Sequence, residues 1–135
     1  MTTLLERPTG KASSARVSSD HLIPETRNPA TGLLDAVKLA GHLGMSTSEI
    51  AQALKRDVSG LRRTPSSASL QPQLTTLEAL ARTITHQLGT PELMRMWLRA
   101  ANPELGDEVP MTFVLEGHAA DLHALTRLGS EGVFN

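Results

Sequence analysis

"STSEIAQALKRDVSGLRR", residues 46–63, is the stretch on which the fold turns. Ser46 with Glu49 three residues on is the capping-box spacing, in which each side chain can bond the other's backbone N–H at a helix start. Ile50, Ala51 and Leu54 then recur on one face. Asp57 is suited to cap a further short helix with Val58 and Leu61 as its buried pair, and Pro65 closes it. Two short helices joined by a tight turn, with small Ala51 at their crossing, predict a helix-turn-helix whose second helix can enter a major groove. Ser59, Arg62 and Arg63 fall outside the buried positions, with Lys55 and Arg56 nearby, so these five are candidate contacts to bases and phosphates. The turn of such a motif usually holds a glycine because one residue takes positive φ. Here Lys55 stands in that place, and Gly60 weakens the second helix from within. Two core helices with a solvated basic rim are the competing reading.

Upstream, Leu33, Val37 and Ala40 recur at helical spacing, with Leu34 and Leu43 beside them, and Gly44 ends that helix. Residues 1–32 show no apolar period; "TGKASSARVSS" has the composition of a disordered arm. Downstream, "SSASLQPQ" (66–73) is rich in helix breakers and reads as a linker. Leu77, Leu80, Ala81, Ile84 and Leu88 then predict an amphipathic helix opened by a Thr75–Glu78 capping box and stopped by Gly89. Thr90-Pro91-Glu92 starts another, with Leu93, Trp97 and Ala101 as its inner face and Met94 and Leu98 flanking. Asn102-Pro103 ends it. A short helix from Pro110 carries Met111, Val114 and Leu115. Gly117 separates it from a last helix with Leu122, Leu125 and Leu128, and Gly129 releases the tail. No segment alternates with period two, so the expected class is all-α, without internal repeats. The expected organisation is an arm (1–32), a helix-turn-helix (33–65), a linker (66–74) and a helical partner-binding domain with a C-terminal tail (75–135).

Charge is unevenly spread along the 135 residues. Residues 33–63 carry five basic and three acidic groups, and residues 64–135 carry four basic and eight acidic. Hydrophobic content of 39% is low for a chain packed throughout. The chain has no Cys, hence no disulfide framework and no thiolate metal site. Leu4-Leu5 alone does not make a secretory signal, and no apolar run is long enough to span a membrane, so a soluble, cytoplasmic protein is expected. Nothing points to an enzyme or a cofactor: there is no Gly-rich phosphate loop and no Cys nucleophile. In "HAADLH", His118 and Asp121 share a helix face while His123 points elsewhere, which disfavours a metal site.

The segment "MWLRAANPELGDEVPMTFVLEGHAADLHALTRLGSEGVFN" (96–135) resembles the toxin-binding region of the Xre/MbcA/ParS-type antitoxins. The resemblance lies in Trp97-Leu98, Asn102-Pro103-Glu104-Leu105-Gly106, Pro110, Leu115, Gly117, Leu122, Leu125 and the closing Glu131-Gly132-Val133-Phe134. It extends more weakly upstream, where that family keeps an Xre-like helix-turn-helix. The resemblance implies the antitoxin of a type II toxin–antitoxin pair. Its partner would be a RES-domain toxin that consumes NAD or uses it for ADP-ribosylation. It further implies operator DNA as a second ligand, through which the antitoxin represses its own operon, and a homodimer within a hetero-oligomeric complex. The competing functions are a stand-alone helix-turn-helix transcriptional regulator and a helical adaptor.

The tail sharpens the expectation. Ser130, Glu131, Gly132, Val133, Phe134 and Asn135 follow the last predicted apolar position and hold one of only two Phe residues. Phe134 either folds back on its own domain, stays disordered, or inserts into a partner; burying it is worth about 1.5–3 kcal/mol. The resemblance favours insertion into the toxin's nucleotide cleft, where an acidic tail would mimic the charge of NAD.

Overall fold

The structure, a computed structural model, describes residues 24–130, with the side chains of 25–128. The protein is all-α. Seven helices lie among the described residues, with no strand: α1 (Ala36–Leu43), α2 (Thr47–Leu54), α3 (Val58–Arg63), α4 (Gln71–Leu88), α5 (Pro91–Arg99), α6 (Pro110–Leu115) and α7 (Ala119–Ser130). Local chemistry sets most of their ends. Asp35 Oδ1 accepts from Lys38 N at 3.0 Å to start α1, and Gly44 ends it at φ 75°. The Ser46–Glu49 capping box forms in full, with both bonds near 3 Å: Glu49 N to Ser46 Oγ at 3.1 Å and Ser46 N to Glu49 Oε1 at 3.0 Å. Asp57 Oδ2 accepts from Gly60 N at 3.1 Å, and Thr90 Oγ1 from Leu93 N at 3.1 Å.

One hydrophobic core gathers side chains from every helix. Leu39 and Leu43 of α1, Ile50 and Leu54 of α2 and Leu61 of α3 join Leu74, Leu80 and Ile84 of α4. Met94 and Leu98 of α5, Met111 and Val114 of α6 and Leu122 of α7 complete it. α4 is the hub: it packs on α7 above all, and on α1 and α5, while α2 rests on α6. Burying each of these side chains contributes about 1.5–3 kcal/mol.

The stretch expected as a linker, 66–74, is folded. Leu70 and Leu74 are buried in the core. Gln71 hydrogen-bonds the backbone of Leu34 in both directions: Leu34 N donates to Oε1 and Nε2 donates to Leu34 O, both at 3.0 Å. α4 therefore starts at Gln71, not at Thr75, with Pro72 in its first turn where a missing N–H costs nothing. Thr75 and Glu78 lie inside α4, so they form no capping box there.

The expected arm also needs correction over residues 24–32. Thr26 is fully buried, Asp35 N donates to Thr26 O at 2.9 Å, and Arg27 pairs with Leu34 as an isolated antiparallel bridge. Arg27 Nη2 lies 2.6 Å from Glu78 Oε1 on α4, a carboxylate whose side chain is 5% exposed. Polar contacts hold this segment, which is why an apolar-period search misses it. Residues 1–23 of the arm lie outside the described residues.

Several helix faces are rotated from expectation. On α5, Met94 and Leu98 are fully buried, while Leu93 is 43% exposed, Trp97 is half-buried and Ala101 lies beyond the helix, exposed. One step along a helix is 100°, so choosing the neighbouring apolar residue turns the whole face. Likewise Leu33 and Val37 are exposed, and Ala36 and Leu39 take the core side of α1. Leu88 and Leu128, at the ends of α4 and α7, are exposed, and α7 runs through Gly129 to Ser130.

Candidate nucleic-acid interface

α2 and α3 are joined by the turn Lys55–Asp57. Lys55 takes the left-handed conformation, φ 57° and ψ 48°, at the position where sequence alone asks for a glycine. A non-glycine residue there is strained by about 1–2 kcal/mol. Its side chain leans away from α3: Cε comes within 3.2 Å of where a Cβ on Gly117 would stand, in the α6–α7 turn. Gly117, at φ 85°, leaves room for it.

The remaining predicted contacts lie on α3 and its approach. Arg56, Ser59, Arg62 and Arg63 are all exposed. Arg62 and Arg63 sit in the last turn of α3, where positive charge suits the helix dipole. Arg56 and Arg63 meet across a cleft of about 290 Å³ between α3 and the Ser66–Leu70 turn. Thr64, Ser67, Gly60 and Asp57 also line it, over an apolar floor of Leu61 and Leu70. Ser59 and Arg62 lie outside this cleft, so the five candidates divide into three places: Arg56 with Arg63, Ser59 and Arg62 elsewhere on α3, and Lys55 toward the α6–α7 turn. Gly60, Thr64 and Ser67 escaped sequence reasoning. The one available signal was a glycine inside a six-residue helix, which looks only like a weakness.

Two arginines of α5, one helical turn apart, tie this region to the C-terminal half. Arg95 Nη1 donates to His42 O at 2.8 Å and Arg99 Nη2 to Gly44 O at 2.7 Å, satisfying carbonyls at the end of α1. Arg99 also grips Glu49 with both terminal nitrogens, at 2.9 and 2.8 Å. Those bonds, and the one from Ser46 N, hold the Glu49 carboxyl down at a pKa of about 2.

The "ANPELGDEVP" joint between α5 and α6 is built by its own residues. Asn102 Oδ1 accepts from Glu104 N at 2.9 Å and caps a 3-10 turn over Pro103–Leu105. Gly106 and Asp107 both take positive φ, 68° and 67°, and Asn102 N bonds Glu108 O at 2.9 Å. Leu105 folds back on the core. The loop leaves Glu104, Asp107 and Glu108 exposed, with Glu116 following at the end of α6. None of the four carboxylates forms an ion pair among the described residues.

His118 and Asp121 are exposed and 3.8 Å apart, while His123 turns toward α4, its Nε2 3.1 Å from Thr83 Oγ1. Burial, then Arg127 and Arg82, lower the His123 pKa. The six proposed toxin contacts are placed less fully: Ser130 ends α7, its side chain outside what is described, and Glu131, Gly132, Val133, Phe134 and Asn135 lie outside the described residues. No helix among the described residues is long and apolar enough to cross a membrane. No protein-family model, curated protein or solved structure matches the chain.

Proposed function

We propose that this protein is the antitoxin of a type II toxin–antitoxin pair. In this reading it neutralises a RES-domain, NAD-consuming toxin by occluding the active site, and represses its own operon by binding DNA through α2 and α3. The observation that carries the reading is how unpaired charge is divided among the described elements. Arg56, Arg62 and Arg63, on and just before α3, make no ion pair among the described residues, and neither do Glu104, Asp107, Glu108 and Glu116, in the α5–α6 joint and at the end of α6. Such arginines suit phosphates. Such carboxylates suit a cleft that holds an anionic dinucleotide with Arg and Lys, because the same field attracts both.

The order of elements supports the same reading. A helix pair with a basic rim comes first, and α5, the capped Asn-Pro-Glu-Leu-Gly joint, α6 and α7 follow in the sequence of the family it resembles. Ser130, the last residue of α7, and residues 131–135 after it in the sequence are the part proposed to enter the toxin. The working form is a homodimer within a hetero-oligomeric complex.

Co-expression tests it. The full chain should co-purify with the toxin encoded beside it and rescue growth that the toxin alone arrests. Removing residues 131–135 should abolish rescue and leave the helical circular-dichroism spectrum unchanged. Full rescue by the shortened chain excludes the tail as the inhibitory element. Absence of any toxin complex, with specific operator binding retained, selects the stand-alone regulator instead.

A further inference from the structure

We propose that the cleft between α3 and the Ser66–Leu70 turn is a seat for one phosphodiester of duplex DNA; this rests on reading α2 and α3 as nucleic-acid binding. Three observations converge. Arg56 and Arg63, seven residues apart, line the same cleft, and neither has a carboxylate within ion-pair distance among the described residues. Among the described residues the Arg56 side chain makes one hydrogen bond, to Ser69 Oγ at 3.5 Å, which leaves its other donors available. Thr64 and Ser67 also line the cleft. Thr64 Oγ1 donates to Gly60 O at 3.2 Å, and Ser67 Oγ shares one bond with Ser69 Oγ at 3.3 Å.

Gly60 is the third observation. It costs helix stability, yet nothing in the packing demands it. A Cβ there would meet only Arg63 Nη2 at 3.8 Å and Asp57 Oδ2 at 3.9 Å, ordinary contacts, and its φ is not positive. Gly41 on α1 is as unconstrained but lies in open space; Gly60 lies beside the two arginines, where the missing side chain leaves the backbone open to a ligand. The cleft is open to solvent and floored by Leu61 and Leu70, against which the carbon face of a deoxyribose can rest. Asp57 is the one acidic member, and its carboxylate is already engaged in capping α3 through Gly60 N. Two guanidiniums therefore outweigh it, and the cleft attracts anions.

Gly60→Ala separates a binding role from a structural one because the two predict opposite signs. In the full chain it should raise Tm, as alanine favours a helix, and weaken binding to a mixed-sequence duplex about five-fold. Gly41→Ala, in open space on α1, is the control: Tm should rise and duplex affinity should stay. Arg63→Gln should lower the slope of log K against log salt by about one, the signature of one lost phosphate contact. Gly60→Ala with higher Tm and undiminished affinity, or Arg63→Gln with an unchanged slope, overturns the proposal. If the unaltered chain binds no duplex at low salt, the nucleic-acid reading of α2 and α3 itself fails.

Discussion

Replacing Arg99 with Met should uncouple the two halves of the protein, and the size of the effect can be worked from one carboxylate. Arg99 bonds both oxygens of Glu49 and the carbonyl of Gly44. Methionine keeps most of the aliphatic stem and removes all three bonds. Glu49 ionises at about 2 in the folded chain against 4.5 ordinarily. Taken at face value that shift is worth about 3 kcal/mol, the larger share from Arg99 and the rest from the Ser46 N bond, which the variant keeps. The pair is partly open to water, with Arg99 at 42% and Glu49 at 29% side-chain exposure, so screening reduces it to about 1–1.5 kcal/mol. Losing the donor to Gly44 O adds about 0.5–1 kcal/mol. The total, about 2 kcal/mol, lowers Tm by roughly 10 °C in a domain of this size. The pH dependence has a fixed sign. Because the folded pKa of Glu49 is depressed, its contribution is complete above the ordinary carboxylate value and is lost as pH falls from 4.5 toward 2. Urea denaturation of the four members of an Arg99→Met, Glu49→Gln cycle measures the coupling. Gln still offers Ser46 N an acceptor, so the capping box survives. A coupling of about 1 kcal/mol at pH 7 that shrinks through pH 3 is expected. Additive losses at pH 7 would refute the claim that Arg99 acts through Glu49.

Three further outcomes follow from the same geometry. Lys55→Gly relieves a left-handed backbone and forfeits a contact beside Gly117, so chemical denaturation should show a net gain of up to about 1 kcal/mol. Gln71→Ala leaves the buried backbone of Leu34 without both partners and should cost about 2–3 kcal/mol by the same assay. His42 and His123 both have pKa values lowered by burial, so each stabilises the fold in its neutral form, and that stability is lost as pH falls below 6.5 through the folded values. A His42→Gln, His123→Gln double variant should flatten Tm between pH 7 and pH 5.

What could be read in advance follows the range of the forces involved. Helix ends governed by neighbours within four residues were legible: the Ser46–Glu49 box, the Asp57 and Thr90 caps, the glycines after α1 and α4, and the need for a left-handed residue at Lys55. Contacts between distant parts were not. Gln71 meets Leu34 across 37 residues and Arg27 meets Glu78 across 51, so a folded corner and a folded strap looked like linker and arm. Pro72 misled for a local reason, since a proline that starts a helix and one that breaks it are the same letter. The direction each helix presents inward was legible only to within one residue. α5 shows why: Leu93, Met94, Trp97 and Leu98 form two adjacent apolar stripes, and only the neighbours α4 and α6 decide between them. For the candidate interface, the basic side chains were visible as a cluster, but the cleft that sorts them required the Ser66–Leu70 turn to be in place.

The shared core has a consequence for anyone who wishes to dissect the protein. Cutting after Thr64 would strip Ile50, Leu54 and Leu61 of the α4 and α6 side chains they pack among, and leave Leu74, Leu80 and Leu98 facing water on the other piece. Neither fragment would be a soluble module. A chimaera that transplants the helix pair will have to carry α4 along with it.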